Sequence, residues 1–160
     1  MPVGPVLGET SLVLDTDVLT DWRHGKEHTQ REIRDYISRL KRAPALASMN
    51  VFEVLHGFER QLLKPKRDDE RHKIDFDRTE QLIRSCVVLP LDEDAARVAA
   101  YVFARLSRSD RNRHWCDVLV AATALSHGHG VATRNQEDFS LIAGHLPASH
   151  QLLRLAVWKP

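Results

Sequence analysis

The sequence has little of what would place it outside the ordinary globular class. It has two cysteines among 160 residues, Cys86 and Cys116, and both lie in apolar runs without the spacing of a metal site or a disulfide framework. We therefore expect two reduced core residues in a reducing compartment. No apolar run approaches the length of a membrane span, and the first residues lack the basic and apolar regions of a signal peptide. These absences predict a soluble, cytoplasmic protein with no membrane partner.

An excess of one charge is also missing. The chain carries 23 basic and 22 acidic residues, with a formal net charge of +1, so the sum excludes neither a nucleic acid nor a protein partner. Repeats, low-complexity tracts and linkers are absent too, and the length and composition predict a single domain over residues 1–160. Within it, residues 1–10 hold two Pro and two Gly, which predicts a mobile lead-in.

Short apolar runs alternate with longer amphipathic stretches along the rest of the chain. The runs predict strands near residues 11–15, 44–48, 86–90, 130–133 and 152–157. The stretches between them place apolar residues at helical spacing, and one of them, residues 64–84, is so rich in charge of both signs that we expect a solvated helix. This alternation predicts an α/β fold with a mostly parallel sheet of four or five strands and helices on both faces.

Acidic residues stand where predicted strands end and predicted helices begin, at Asp15, Glu53, Asp117 and Asp138. In a doubly wound sheet all four can meet at the carboxyl edge, where such sheets bind ligands. A buried carboxylate needs a partner, and clustered carboxylates are the oxygen ligands that Mg²⁺ and Mn²⁺ prefer. The pattern therefore predicts a metal site able to activate water and to neutralise charge on a phosphoryl group.

Short polar residues accompany these acids. Thr16, Thr133 and Asn135 can hold ligands or waters beside the site. Alternatives remain for two of the acids, because Asp15 could simply cap a helix and Glu53 could be an ordinary solvated helix residue.

The stretch from Ser107 to Arg113 is polar and is predicted to be a loop. With Arg105 just before it, it carries the most one-sided basic cluster of the chain, through Arg108, Arg111 and Arg113. A solvated loop is one interpretation. The other is an RNA-binding loop that contacts backbone phosphates.

Four segments in order resemble the motifs of the PIN-domain ribonucleases, and within them the VapC-type toxins of prokaryotic toxin–antitoxin pairs. They read LDTDVL at 14–19, SMNVFEVLHG at 48–57, DVLVAATA at 117–124 and TRNQEDF at 133–139. Each motif alone is weak, but four at compatible spacing are specific, and the resemblance spans residues 11–157.

This resemblance implies a PIN-like three-layer α/β/α domain that acts as a Mg²⁺- or Mn²⁺-dependent endoribonuclease. It implies that Asp15, Glu53, Asp117 and Asp138 are both the catalytic and the metal-binding residues, supported by polar neighbours such as Thr133 and Asn135. It further implies an RNA substrate, a homodimer and inhibition by a small antitoxin protein.

The sequence departs from the family pattern at two places. Asp17 stands where the family more often has Asn, which leaves the role of this extra acid open. The charged stretch at 64–84 is long for the family and is expected to extend a helical hairpin.

Two other functions compete with the toxin nuclease. Asp15 and Asp17 also fit the loop of haloacid-dehalogenase-like phosphatases, as nucleophile and acid/base, but that chemistry needs a Lys near the later acids, and residues 114–139 contain none. A PIN nuclease that is not a toxin, or a catalytically silent RNA-binding PIN protein, is a further alternative. Retention of all four acids argues against the silent protein.

Overall fold

The structure is a computed structural model that describes residues 3–5, 9–66, 68–150 and 152–160. Within that part of the chain it contains six strands and seven α-helices. The strands are β1 (Val3–Pro5), β2 (Leu12–Leu14), β3 (Ala45–Ala47), β4 (Val87–Leu89), β5 (Gly130–Thr133) and β6 (Leu153–Val157). The helices are α1 (Thr16–Arg23), α2 (Glu27–Leu40), α3 (Ser48–Leu62), α4 (Asp69–Arg84), α5 (Glu93–Arg105), α6 (Arg108–Ser126) and α7 (Gln136–Ala143).

The strands form one parallel sheet in the order β1-β6-β5-β2-β3-β4. This confirms the predicted α/β class. It also places the ends of β5, β2 and β3 side by side at the centre of the carboxyl edge. The residues that follow these three strands are therefore brought together.

The amino-terminal strand corrects one expectation. Val3–Pro5 pair in parallel with Leu153–Leu155, so this part of residues 1–10 is not a mobile lead-in, and the sheet has six strands rather than four or five. The Pro and Gly residues conceal the strand because they resemble a loop, yet a strand at the sheet edge tolerates Pro. Residues 1, 2 and 6–8 lie outside the described part of the chain.

Helices cover both faces of the sheet, as the three-layer architecture requires. Along β2, Val13 belongs to the buried cluster formed with α5, α6 and α7, whereas Leu12 and Leu14 belong to the cluster formed with α1 and α2. Successive strand residues point to opposite faces, so one short strand contributes to both cores. Tyr36 of α2 is buried in the second cluster, and its hydroxyl accepts a hydrogen bond from the Leu12 amide at 3.1 Å.

The predicted polar loop at 107–113 is wrong. Ser107 is the N-cap of α6, and its hydroxyl accepts from the Asp110 amide at 3.1 Å and donates to the Asp110 carboxylate. A Ser followed three residues later by an acid is a helix-start signal that the dense Arg residues obscured. The helix is kinked at His114, which has non-helical backbone angles.

The charged stretch forms the second arm of a helical hairpin. The Phe58 ring of α3 meets the Phe76 ring of α4 edge-on at 5.6 Å, and His72 Nε2 lies 3.2 Å from the Phe58 carbonyl oxygen. Residue 67, which falls within this stretch, is outside the described residues. No helix in the described ranges combines the length and the hydropathy that crossing a bilayer requires.

Candidate functional site

Asp15 occupies the centre of the carboxyl edge, directly after β2. It is the N-cap of α1, and Oδ1 accepts from the Thr16 amide at 2.7 Å. Oδ2 accepts from the Thr133 hydroxyl at 3.0 Å, at the end of neighbouring β5. The side chain is buried, with only 4% of the residue exposed. Asp15 is therefore a helix cap, as the alternative interpretation held, and also a buried acid at the sheet edge.

Thr133 and Asn135 connect this acid to Asp138. The Thr133 hydroxyl that donates to Asp15 also accepts from the Asn135 amide at 2.9 Å. Asn135 is in turn the N-cap of α7, and its side-chain amide donates to the Asp138 carboxylate. Asp138 therefore lies in the first turn of α7. Thr133 and Asn135, two of the residues predicted to support the site, therefore hydrogen-bond to its acids.

Glu53 is held by a hydrogen-bonded chain that begins at the backbone. The Ala47 amide donates to Asn50 Oδ1 at 2.9 Å, and Asn50 Nδ2 donates to the Thr16 hydroxyl at 3.0 Å. The Thr16 hydroxyl then donates to Glu53 Oε2. The Cys116 thiol donates to the same oxygen, with 3.1 Å between the sulfur and the oxygen. Glu53 is therefore a positioned carboxylate between α1, α3 and α6, and not an ordinary solvated helix residue.

Asp117 lies one helical turn after His114, beyond the kink in α6. His114 Nδ1 is 3.3 Å from Asp117 Oδ2 and 3.8 Å from Asp138 Oδ2. His114 itself is buried. One imidazole therefore contacts both of the later acids.

Two of the acids have raised pKa values, because they are buried and because other carboxylates lie close to them. Burial, with a further contribution from the Asp117 carboxylate, raises the pKa of Asp15 from 3.8 to about 7. Burial also raises the pKa of Asp117 to about 7, and Asp138, Glu53 and Asp17 add to that rise through like-charge repulsion. The structure therefore brings all four predicted acids, together with Asp17, within electrostatic reach of Asp117.

Asp17 stands at the rim, with 54% of its side chain exposed. It lies 3.8 Å from the guanidinium of Arg134, whose other terminal nitrogen is 3.1 Å from the buried carboxylate of Asp21. His28 Nε2 approaches the same Asp21 carboxylate at 3.3 Å. Arg134 thus pairs with a buried acid of α1 and with Asp17 at the rim of the site.

The predicted RNA-binding arginines differ in their surroundings. Arg108 and Arg113 are exposed on the first turns of α6. Arg111 instead donates to the carbonyl oxygens of Phe103 and Leu106 and so ties α5 to α6. Arg105 covers the Tyr101 ring at 3.3 Å. Two of the three predicted contacts, Arg108 and Arg113, therefore remain suited to a phosphate.

The donor set fits a divalent cation. Within the described residues, one ligand atom from each of His114, Asp117 and Asp138 lies within 4.8 Å of the others. Carboxylate oxygens suit Mg²⁺ and Mn²⁺, and like charges this close and this buried favour either a bound cation or a proton. His114 can bind the ion or hold the Asp117 carboxylate from behind, as histidines and carboxylates near metals do.

Sequence analysis missed several residues of the site: His114, Cys116, Asn50 and Arg134. Each acts through a tertiary contact, so no local pattern marks it. His114 and Cys116 do flank Asp117 within an apolar helix, and Arg134 lies inside the last motif, which is the signal that was available. Cys86 and Cys116 are free thiols, and burial raises the pKa of Cys116, which keeps the donor proton on sulfur.

Comparison with solved structures gives the same fold. The DNA-bound VapBC structure from Salmonella typhimurium is 21% identical, with a TM-score of 0.65 over 94% of this chain and 99% of that chain. FitAcB from Neisseria gonorrhoeae is 21% identical, with a TM-score of 0.62 over 93% and 99%. VapBC-5 from Mycobacterium tuberculosis is also 21% identical, with a TM-score of 0.60 over 92% and 99%. At this identity the likeness shows the fold alone.

Family comparison goes further than the fold. No match is found among curated proteins. The PIN-domain family model, however, matches residues 12–144, which is most of the chain and includes all four acids. The sequence motifs, the parallel sheet and the acids at its carboxyl edge agree with this match. The chain belongs to the PIN-domain family of nucleases.

Proposed function

We propose that the protein is a metal-dependent endoribonuclease that hydrolyses RNA phosphodiester bonds at the carboxyl edge of the sheet. The observation that carries this proposal is that Asp15, Glu53 and Asp138 each lie within electrostatic reach of Asp117 or raise its pKa, with the pKa values of Asp15 and Asp117 raised to about 7. A bound cation would relieve the repulsion among these carboxylates.

In this proposal Asp15, Glu53, Asp117 and Asp138 hold Mg²⁺ or Mn²⁺. When bound, the cation would activate water for in-line attack and neutralise charge on the phosphoryl group. The chain's own contribution is to fix the carboxylates: the Thr133 hydroxyl orients Asp15, the Thr16 hydroxyl and the Cys116 thiol orient Glu53, and His114 lies against Asp117.

The electrostatic setting also favours a polyanion once the acids are neutralised. Arg134 sits at the rim, and Arg108 and Arg113 project from the start of the same helix that carries Asp117. Such cations position a phosphate backbone without reading its sequence.

The test is cleavage of a labelled RNA pool by the purified protein with Mg²⁺, with Mn²⁺ and with EDTA. Asp15→Asn and Asp117→Asn should each abolish cleavage while preserving the fold, because each keeps the shape and removes one ligand charge. Asp77→Asn on the exposed face of α4 makes the same charge change away from the site and should cleave normally. Full cleavage by both site variants, or undiminished cleavage in EDTA, would contradict the proposal and leave the silent RNA-binding protein.

The haloacid-dehalogenase alternative has no support in the site. Asp17 is paired with Arg134 at the rim, and the residues around Asp15 and Asp117 include no Lys among their contacts in the described part of the chain. Family membership also argues against it. Turnover of a small phosphate monoester with a trapped phosphoryl group on Asp15 would restore it.

We further infer a toxin role in the cytoplasm, as a homodimer held inactive by a small antitoxin protein. Three structures that share this fold at high coverage are VapBC or FitAcB complexes, which supports the inference. Expression of the chain alone should arrest growth, whereas expression of the Asp117→Asn variant should leave growth normal. Co-expression of the product of the adjacent gene with the unchanged chain should restore growth. Normal growth with an active nuclease inside the cell would identify a PIN nuclease that is not a toxin.

A further inference from the structure

Two large aromatic side chains are exposed beside the acids. Phe52 of α3 is 52% exposed and Trp115 of α6 is 41% exposed, although aromatic residues make up only 6% of the chain. Their rings meet edge to face with 6.3 Å between centroids, and the ring of exposed His56 lies nearly parallel to Phe52 at 5.6 Å. We call these three residues the aromatic cluster.

The cluster lies at the rim of the candidate site. Phe52 directly precedes Glu53, and Trp115 directly precedes Cys116, whose thiol donates to Glu53 across the same junction of α3 and α6. Asp117 follows two residues after Trp115. The Cys116–Glu53 hydrogen bond and the Phe52–Trp115 ring contact are therefore adjacent at the junction of α3 and α6. The first belongs to the acidic site, and the second lies on the exposed surface.

We propose that the aromatic cluster is a stacking platform for an unpaired nucleobase of the RNA, next to the phosphate held at the acids. The proposal rests on the proposed nuclease function and names the side chains that hold a base of the RNA beside the acids. Exposed aromatic rings beside a backbone-binding groove bind single strands in this way, because every base offers a π-face.

Charge around the cluster favours a nucleic acid over an apolar protein surface. Exposed Arg113 precedes Trp115 by two residues. A cation next to exposed aromatic rings suits a phosphate backbone and its bases together. Another exposed aromatic residue, Tyr101 on α5, is covered by the Arg105 guanidinium and borders no acid of the site, so it serves as a matched control.

The experiment measures RNA binding and changes both the protein and the RNA. All proteins carry Asp117→Asn so that the RNA is not consumed. The probe is a fluorescein-labelled single-stranded 12-mer of mixed sequence, compared with a 12-mer in which abasic ribose replaces every nucleoside. The parent should bind the complete RNA about 5- to 100-fold more tightly than the abasic RNA, the range expected for stacking of one base.

Trp115→Leu and Phe52→Leu keep an apolar side chain and remove the π-face. Each should lower affinity for the complete RNA toward that for the abasic RNA, whereas Tyr101→Leu should keep the full preference. A parent without preference for bases, or cluster variants that retain it, would overturn the proposal. Because binding is read without cleavage, a protein that binds with base preference but cleaves nothing would contradict the proposed nuclease and leave the platform standing.

Two further readouts keep the test decisive. Sedimentation of the same variants reports association, and a change in oligomeric state with unchanged base preference would assign the cluster to a protein interface and overturn the proposal. If a Leu variant fails to fold, the fluorescence of Trp115 replaces it, measured in a protein whose Trp22 and Trp158 are changed to Phe. The complete RNA should quench this emission more than the abasic RNA, and equal quenching would overturn the proposal.

Discussion

Replacing Asp117 with asparagine should stabilise the metal-free protein, although it removes a residue of the candidate site. The pKa of this carboxyl is raised from 3.8 to about 7, so its charged form is disfavoured in the folded state. Each pKa unit corresponds to about 1.4 kcal/mol, and forcing the charge on at neutral pH costs on the order of 4 kcal/mol. Asparagine has nearly the same shape and carries no charge, so most of that cost disappears.

The substitution also has a cost. His114 Nδ1 lies 3.3 Å from the Asp117 carboxylate, and the amide is a weaker acceptor than the carboxylate, which loses roughly 1–2 kcal/mol. The net gain is then about 2 kcal/mol in the free energy of unfolding. For a chain of 160 residues, this raises the melting temperature by roughly 4–8 °C.

Thermal melts at pH 7.5 in EDTA, followed by circular dichroism, measure the gain. Asp77→Asn on α4 makes the same change on an exposed face and should melt with the parent. Added Mn²⁺ should reverse the order, because a ligand at a hundred times its Kd stabilises by about 2.7 kcal/mol and the variant has lost one ligand charge.

The refuting result is specific. If the variant melts below the parent in EDTA and Mn²⁺ leaves the parent unchanged, then Asp117 has only a structural role. The acids at the carboxyl edge would then not form a metal site.

Three further outcomes follow from the same structure. In EDTA the free energy of unfolding of the parent should fall as pH rises from about 4 to about 8. The reason is that the pKa values of Asp15 and Asp117 are higher in the folded protein than in the unfolded chain, so the folded state binds more protons in this range. Denaturant titrations across the range measure this change, and a free energy of unfolding that rises with pH would contradict the prediction. Tyr36→Phe should lower the free energy of unfolding, measured in urea, by about 1–3 kcal/mol, because the buried Leu12 amide loses its hydrogen-bond acceptor. An unchanged unfolding midpoint would mean that water replaces the hydroxyl. Arg113→Glu should weaken RNA binding and reduce the slope of log K against log salt by about one, and an unchanged slope would return this residue to the solvent-exposed surface.

Much of the fold can be predicted from the sequence, because buried parallel strands appear in it as short apolar runs. Leu12–Leu14 are buried on both faces, and the acid that ends the run marks the carboxyl edge. The strand order then brings Asp15 beside Thr133 without any further information. The family motifs predict the remaining acids, at Glu53, Asp117 and Asp138.

The rest depended on contacts that no local pattern encodes. Val3–Pro5 form a strand only because β6 offers them an edge, and their composition resembles a loop. Ser107 caps α6, whose first turns contain so many Arg residues that the sequence predicts a solvated loop there. Arg134 pairs with Asp21, which lies 113 residues earlier in the chain, and only the folded sheet brings the two together.

The hydrogen-bonded chain that ends at Glu53 has a consequence for how this site can change over evolutionary time. All of its hydrogen bonds run in the same direction: the Ala47 amide donates to Asn50, Asn50 donates to Thr16, and Thr16 donates to the carboxylate. Losing Asn50 leaves a buried amide unpaired and also frees the Thr16 hydroxyl to turn away. Substitutions at these positions are therefore epistatic: the loss of either one removes most of what the other contributes.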